Sequence, residues 1–284
     1  MPTAKEAIRE AVRELRGSEA IGHYAGSDRF NAEDLLSFVL GREPLDGEAV
    51  PQVAMMRFRR LVGRRAKGVP VAYLTGQTTF MGLSLEVGPG AFVPRQSSEW
   101  LAEQALRRLR RRADPIHVDV ATGIGPVALG VASGLPRARV FGIDLSARPL
   151  VLARRNAARL GVANATFHRG DLFDPLPPTL RGRVDVITGH LPYVGDEELI
   201  TLPEEILRFE PKESLTDLSP TGLGLITRMA TEAPGWIRPG GWLLFEVSPD
   251  RSRKVAAVLR RAGFSAVRST KGELAVSRVV VGRR

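Results

Sequence analysis

From residue 97 to the C-terminus, apolar runs of strand length alternate with stretches of helical periodicity, and this alternation constrains the fold more than any other feature. A strand that hands over to a helix before the next strand runs parallel to its predecessor. The pattern therefore predicts a mainly parallel sheet covered by helices on both faces. The spacing predicts strands over 116–120, 139–143, 166–169, 184–188 and 242–247, with helices over 98–112, 126–133, 148–160, 222–233 and 251–262. Two final strands, 264–268 and 275–281, flank Thr270-Lys271-Gly272-Glu273, a hairpin-like turn that gives the sheet an antiparallel finish.

Residues 1–75 carry no strand signal and are expected to form a small helical domain. Ala4, Ile8, Val12 and Leu15 recur at helical spacing. Asn31, ahead of Ala32-Glu33-Asp34, marks a second helix start with Gly41 as its stop, and a third helix is expected over 50–66, broken by Gly68-Val69-Pro70. Residues 76–96 read as a connector in which 78–81 and 83–87 pair as a β-hairpin across Gly82, followed by turns at Pro89-Gly90 and Pro94-Arg95. Residues 97–284 are the α/β domain, and a chain of 284 residues has room for this plan.

The hydrophobic fraction of 43% and charged fraction of 25% are those of a soluble globular protein. With no cysteine, disulfides, thiolate metal sites and cysteine nucleophiles are excluded. Met1-Pro2-Thr3-Ala4-Lys5-Glu6 is a polar helix opening rather than a signal peptide, and no apolar run reaches the roughly 18–20 residues of a membrane span, so the cytoplasm is the expected address. Lys and Arg, 41 together, outnumber 31 Asp and Glu, for a net charge of +10. The densest cluster, Arg107-Arg108-Leu109-Arg110-Arg111-Arg112, reads either as a patch for an acidic partner or RNA, or more simply as the solvated last turn of a helix, where cations suit the dipole.

The loop Asp119-Val120-Ala121-Thr122-Gly123-Ile124-Gly125 joins the first strand of the alternation to a helix. Gly123-Ile124-Gly125-Pro126-Val127-Ala128 fits G-x-G-x-x-A, so a nicotinamide or flavin dinucleotide must be weighed. Glycines here let backbone N–H groups approach an anion at a helix N-terminus, which suits a pyrophosphate or the carboxylate of a methionine moiety equally. Three acids decide. Asp144, ending the second strand, is placed for ribose hydroxyls; Asp171, after the third, for an adenine amine; Asp119, ending the first, for the ammonium of a methionine tail, which NAD lacks. Together they favour S-adenosylmethionine. A helix-capping role for Asp144 is the plainer alternative, but Ser146 can fill it.

These motifs and their order resemble the HemK/PrmC family, the glutamine N5-methyltransferases that modify peptide chain release factors. The similarity runs through nearly the whole chain: Pro70-Val71-Ala72-Tyr73-Leu74-Thr75-Gly76, Phe80-Met81-Gly82, and Phe92-Val93-Pro94-Arg95 with Glu99. It continues through Val118-Asp119 to Gly125, with Ala121 where Gly is usual, then Asp144-Leu145-Ser146, Asn156-Ala157 and Gly170-Asp171-Leu172-Phe173. Phe209-Glu210-Pro211, Thr221-Gly222-Leu223, Pro239-Gly240-Gly241 and the ending Glu273-Leu274-Ala275 with Ser277-Arg278-Val279 complete it. The resemblance implies a Rossmann-like class I methyltransferase sheet with an antiparallel last strand, preceded by a helical domain that helps hold a macromolecular substrate. It implies S-adenosylmethionine held by Asp119, Ala121, Thr122, Gly123, Gly125, Asp144, Leu145, Asp171, Leu172 and His190. The target would be held by Arg95, His190, Leu191, Pro192, Tyr193 and Glu210, with catalysis centred on His190, Pro192 and Tyr193. The implied partner is a release factor or another protein or peptide, with no membrane and no required nucleic-acid contact.

The chain departs from the family at the substrate loop, where His190-Leu191-Pro192-Tyr193 replaces Asn-Pro-Pro-Tyr. In the family the Asn side chain and the carbonyl after it accept both N–H groups of the target amide, aiming the nitrogen lone pair at the methyl group. An amide nitrogen is a weak nucleophile, so positioning and electrostatics must lower the barrier, and one lost acceptor costs about 2–4 kcal/mol by analogy with an oxyanion-hole donor. A neutral His190 offers one donor and one acceptor, and Leu191 frees the backbone that proline would stiffen. Three readings stand open: His190 is a general base for another N or O nucleophile on a peptide or metabolite, a modified holder of a glutamine amide, or a loop histidine in a non-catalytic binding module of the same fold. Tyr193 is expected to stack along the methyl-transfer channel, against the plainer role of core packing. His117 and His168 read as structural, and no His, Asp and Glu spacing resembles a metal site.

Overall fold

Thr3 and Glu6 open the first helix, α1 (Ala4–Arg16), with a reciprocal cap: the Glu6 N–H donates to Thr3 Oγ1 at 3.3 Å and the Thr3 N–H to Glu6 Oε2 at 2.7 Å. The computed structural model describes residues 1–22 and 26–284, and these form two compact units. The smaller holds α1, α2 (Ser27–Leu40), α3 (Gln52–Arg65) and α4 (Val71–Thr75). The buried stripe of α1 is Ala4, Ala7, Ala11 and Leu15, with Ile8 and Val12 at its margin; it packs with Leu35, Leu36, Phe58, Val62 and Leu74 into one core. The second helix starts at Ser27 behind Gly26, whose φ of 79° sets the turn, so Asn31 lies inside the helix rather than capping it. Gly41 does end it, in the left-handed conformation.

The larger unit opens with a two-stranded sheet, β1 (Gln77–Phe80) and β2 (Leu83–Glu86), joined by Met81 and Gly82, both at positive φ as a type I′ turn requires. Then follow α5 (Glu99–Leu109), β3 (Ile116–Val120), α6 (Pro126–Gly134), β4 (Arg139–Asp144), α7 (Ala147–Arg159), β5 (Ala165–Arg169) and β6 (Val184–Gly189). Residues 200–210, with the short helix α8 (Glu204–Phe209), fold with the smaller unit. There Glu205 accepts from the Gly22 N–H and pairs with the buried Arg65 guanidinium at 2.5 Å. The chain finishes with α9 (Gly224–Glu232), β7 (Ile237–Val247), α10 (Ser252–Arg261), β8 (Ser265–Thr270) and β9 (Arg278–Arg283).

Seven strands form one sheet in the order β5-β4-β3-β6-β7-β9-β8. All pairings from β5 to β7 are parallel, and β9 is antiparallel to both its neighbours. Every residue of β3 and β6 is buried, as expected of central strands covered on both faces. The chain winds outward from β3 through β4 to β5, then returns to lay β6 on the other side of β3. Strand order reverses there, and in open α/β sheets that reversal opens a crevice beyond the carboxyl ends of the strands. β8 starts one residue later than the apolar pattern predicts, because Phe264 is spent on closing the turn after α10, its N–H donating to Leu259 O at 3.0 Å, and β9 starts at Arg278 rather than Ala275.

Candidate active site

A cavity of about 520 Å³ opens at that reversal, a volume suited to a cofactor. Its wall includes Ala121 and Gly123 from the loop after β3, Asp144 and Leu145 after β4, Asp171 and Leu172 after β5, and His190, Leu191 and Pro192 after β6. The loop after β3 is held in a left-handed path: φ is +56° at Ala121, +57° at Gly123 and +86° at Gly125. Ala121 therefore occupies a conformation that a Cβ disfavours. The loop amides are engaged internally: Thr122 N–H donates to Ile143 O at 2.9 Å, Gly123 N–H to Asp144 Oδ2 at 2.8 Å and Gly125 N–H to Thr122 O at 2.8 Å. Pro126 at the first helical position has no N–H. Three of the loop's amides are thus taken up within the protein, which weakens the case for a pyrophosphate cradle.

Asp144 receives two backbone donors, Gly123 N–H on one oxygen and Ser146 N–H on the other, each at 2.8 Å. Burial nonetheless raises its carboxyl above the ordinary range. With its orientation fixed by two amides, its remaining lone pairs are available to hydroxyl donors in the cavity. Leu145 stands 65% exposed in the same wall, an apolar surface with nothing packed over it, and Leu172 is held there at φ +43°. Asp171 lines the wall while pairing with Arg228 at 3.0 Å.

Asp119 lies outside the cavity wall. The residues lining the cavity include its neighbour Val120 but neither Asp119 nor Thr122 nor Gly125. Val120 is the last residue of β3 and so stands nearer the crevice than Asp119. The Asp119 carboxylate instead accepts from Thr122 Oγ1 at 2.7 Å and Thr188 Oγ1 at 2.6 Å, and Thr188 Oγ1 also lies 2.9 Å from His117 Nε2. Burial pushes Asp119 up to about 6 and His117 down to about 3. Asp119, Thr122 and Gly125 lie behind the residues that line the cavity, and the Asp119 carboxylate is engaged there by two threonine hydroxyls.

The substrate loop is built by packing at its base. A Cβ on Gly222, whose φ is +64°, would collide with the Tyr193 carbonyl, so only glycine lets the 221–223 turn lie against the loop. Val194 N–H donates to Leu215 O at 3.0 Å, fixing the next turn. At the tip, the His190 ring stacks on Tyr193 with centroids 5.8 Å apart and meets the Phe92 edge at 5.7 Å. Arg95 lies over the Phe92 ring, its guanidinium 4.5 Å from the ring centroid. Burial, reinforced by Glu246 and Asp250, pushes the Tyr193 hydroxyl up to about 12, so it remains a neutral ring beside His190.

Arg95 and Tyr193 sit one layer behind the cavity wall, touching residues that line it. Glu210 belongs to the smaller unit, buried at the end of α8. Sequence reasoning did not single out Phe92, Arg169, Glu213 and Ser214 as wall residues, or Ser98 and Glu246 behind His190. Only Glu246 carried a readable signal, an acid at the carboxyl end of a predicted parallel strand. His168 stands at the end of its strand 3.1 Å from Thr166 Oγ1, away from the wall. The Arg107–Arg112 cluster is largely occupied: Arg107 stacks on Trp100, Arg108 on Trp242, and Arg112 reaches the buried Asp185 at 3.1 Å.

Known proteins bear on this geometry. Residues 6–76 match the PrmC N-terminal domain family and residues 118–209 the methyltransferase domain family. The release factor glutamine methyltransferase of Bordetella pertussis is 37% identical over 90% of this chain and 95% of its own length. The release factor glutamine methyltransferase of Moorella thermoacetica is 36% identical over 92% of this chain and 91% of its own. Among solved structures, the Thermus thermophilus 16S rRNA N2 G1207 methyltransferase, in complex with AdoMet and guanosine, aligns with a TM-score of 0.53 at 17% identity. That alignment covers 73% of this chain and 49% of that one and shows the shared fold. Among the described residues, no helix is long and apolar enough to cross a membrane.

Proposed function

The chain belongs to the release factor glutamine methyltransferase family, and from that membership we propose that it transfers a methyl group from S-adenosylmethionine to a glutamine side-chain amide of a peptide chain release factor. The observation that carries the cofactor is Asp144, a carboxylate in the cavity wall with both oxygens oriented by backbone donors and lone pairs left for two ribose hydroxyls. Leu145 and Leu172 offer apolar surface for an adenine ring, and Asp171 an acceptor for its amine. Ala121 and Gly123 supply the backbone beside the methionine portion. This set of acceptors and apolar side chains fits an adenosyl group, and the internally bonded loop amides fit it better than a pyrophosphate. When bound, that group supplies an electrophilic methyl on a sulfonium.

The chain's own task is then to hold an amide nitrogen in line with that methyl and to exclude water. His190, Leu191 and Pro192 form the wall where the amide would lie, with Tyr193 and Phe92 fixing the imidazole. Arg95 and Glu210 are proposed to contact the incoming protein segment. Residues 1–75 are proposed as the substrate-holding domain, 76–96 as the connector and 97–284 as the catalytic domain.

Calorimetric titration with S-adenosylmethionine and S-adenosylhomocysteine, followed by a labelled-methyl assay on release factor, tests the proposal. Binding of both with methylation of one glutamine supports it. Binding without methylation of the factor assigns the site to another nucleophile, and absence of binding to either overturns the cofactor assignment.

A further inference from the structure

β6 and β7 are parallel neighbours with Gly189 opposite Phe245, and this register brings His190, the first residue past the end of β6, beside Glu246, near the carboxyl end of β7. Glu246 is 1% exposed. Its Oε1 accepts from Ser97 Oγ at 2.9 Å, while Oε2, buried and without a hydrogen-bond partner, lies 3.5 Å from His190 Nδ1. A buried carboxylate oxygen is costly unless a donor or cation faces it, and His190 Nδ1 is the facing group. Ser98 Oγ stands 3.3 Å from the same nitrogen.

We propose that Glu246 is the positioning residue of the substrate loop, holding His190 with its proton on Nδ1 so that Nε2 presents a lone pair to the target amide. This deepens the proposed function and rests on it for the identity of the amide. A histidine whose Nδ1–H faces a carboxylate has its tautomer and ring orientation fixed by that contact. His190 then stands in for half of the family's asparagine: Nε2 accepts one amide N–H, as the asparagine oxygen does. It also does what asparagine cannot. As the amide nitrogen's lone pair forms the bond to the methyl carbon, the carbon–sulfur bond breaks with its electron pair going to sulfur. The N–H proton, now on a far more acidic nitrogen, passes to Nε2. The resulting imidazolium faces the Glu246 carboxylate, and the proton leaves to solvent after product release. The larger ring is therefore matched by a buried counter-charge behind it.

The direct test is nitrogen NMR of the resting protein labelled at histidine; the chain has four histidines, and His190→Asn identifies the signal. The wild-type protein is expected to show the Nδ1–H tautomer at His190. A wild-type Nε2–H tautomer, with Ser98 donating to Nδ1, overturns the proposal without any variant or substrate. Glu246→Gln, checked for folding by its thermal transition, is expected to shift His190 toward the Nε2–H tautomer. It should lower kcat about 10-fold or more with KM for the protein substrate within about 2-fold, in the range of lost general-base assistance. In a His190→Asn background the same substitution should change kcat less than 2-fold, because Glu246 acts through the imidazole. Equal losses in both backgrounds overturn the positioning role. Should release factor not be methylated at all, the function reading fails while the tautomer still decides the inference.

Discussion

The backbone N–H of Gly123 donates to Asp144 Oδ2 at 2.8 Å, so the glycine loop after β3 is tied to the end of the neighbouring strand before any ligand arrives. The carboxylate proposed to bind the ribose also holds the loop that would face the methionine portion. Asp144→Ala removes the acceptor for Gly123 and Ser146 together. We expect S-adenosylmethionine affinity to fall at least about 10-fold and stability by about 2 kcal/mol, since two oriented amides lose their partner. Calorimetric titration and urea unfolding read the two effects. Unchanged stability with lost binding would mean that the loop holds its path without Asp144.

Ala121 sits at φ +56°, in the left-handed region that favours glycine. A left-handed conformation costs an L-residue roughly 1–2 kcal/mol, and glycine returns part of that gain through its freer unfolded chain. Ala121→Gly is therefore expected to stabilise the protein by about 0.5–1 kcal/mol, read as a higher urea midpoint at unchanged slope. A midpoint that does not move would show the strain to be relieved elsewhere in the loop.

Much of this architecture could be read from the chain, and the reasons differ by element. β3 and β6 were legible from their Val and Ile residues even though the buried polar residues His117, Asp119, Asp185 and Thr188 interrupt them, and Gly41 stopped its helix as expected. The start of α2 was misplaced at Asn31 because the true start relies on the backbone conformation of Gly26 rather than a capping side chain. The segment between β6 and α9 has no long periodic element; its structure is 3-10 turns over Asp196–Thr201 and Lys212–Ser214 and the short α8. At the site, the strand-end rule pointed to Asp144, which lines the cavity, but not to the Thr122 and Thr188 hydroxyls that engage Asp119, because those contacts depend on the loop path and on the pairing of β3 with β6. Glu246 hid inside an apolar run because its role depends on the register between β6 and β7.

Arg251 is a buried guanidinium, 3% exposed, that reaches Glu198, the Thr221 carbonyl and Asp250. Thr221 adjoins Gly222, which lies against the Tyr193 carbonyl, so this side chain underpins the base of the substrate loop. Glu198 and Asp250 are solvent-exposed, so losing the guanidinium leaves no buried charge behind; the cost is chiefly the Thr221 carbonyl's lost donor, about 1–3 kcal/mol. Arg251→Met should destabilise by about that amount and raise KM for the protein substrate more than it weakens S-adenosylmethionine binding. Equal effects on both ligands would place the damage in the whole sheet edge instead.

His190→Ala removes the proposed acceptor from the cavity wall while leaving the strand ends intact. Loss of one transition-state hydrogen-bonding group costs about 2–4 kcal/mol, so kcat on release factor should fall roughly 10²–10³-fold with cofactor affinity little changed. His190→Asn, which restores an amide oxygen, should retain more activity than His190→Ala. Single-turnover methyl transfer measures both, and an alanine variant as fast as the wild type would remove His190 from the reaction.

Asp119 gives the fold a pH dependence whose sign follows from its burial. Burial pushes its carboxyl up to about 6 from an ordinary 3.8, outweighing the lowering by the Thr188 and Thr122 hydroxyls. Below pH 3.8 both folded and unfolded chains hold the proton, and the group does not penalise folding. Between 3.8 and about 6 the unfolded chain has lost the proton while the folded one keeps it, so stability falls as pH rises through this window and is level above it. The full drop is on the order of 3 kcal/mol. Asp119→Asn cannot ionise, so the stability difference between wild type and variant should move toward the variant by about that amount between pH 3.5 and pH 7, as urea unfolding at each pH would read. Two parallel pH profiles would mean that the carboxylate ionises in the folded protein as easily as in the unfolded one, and that the two threonine hydroxyls compensate its burial in full.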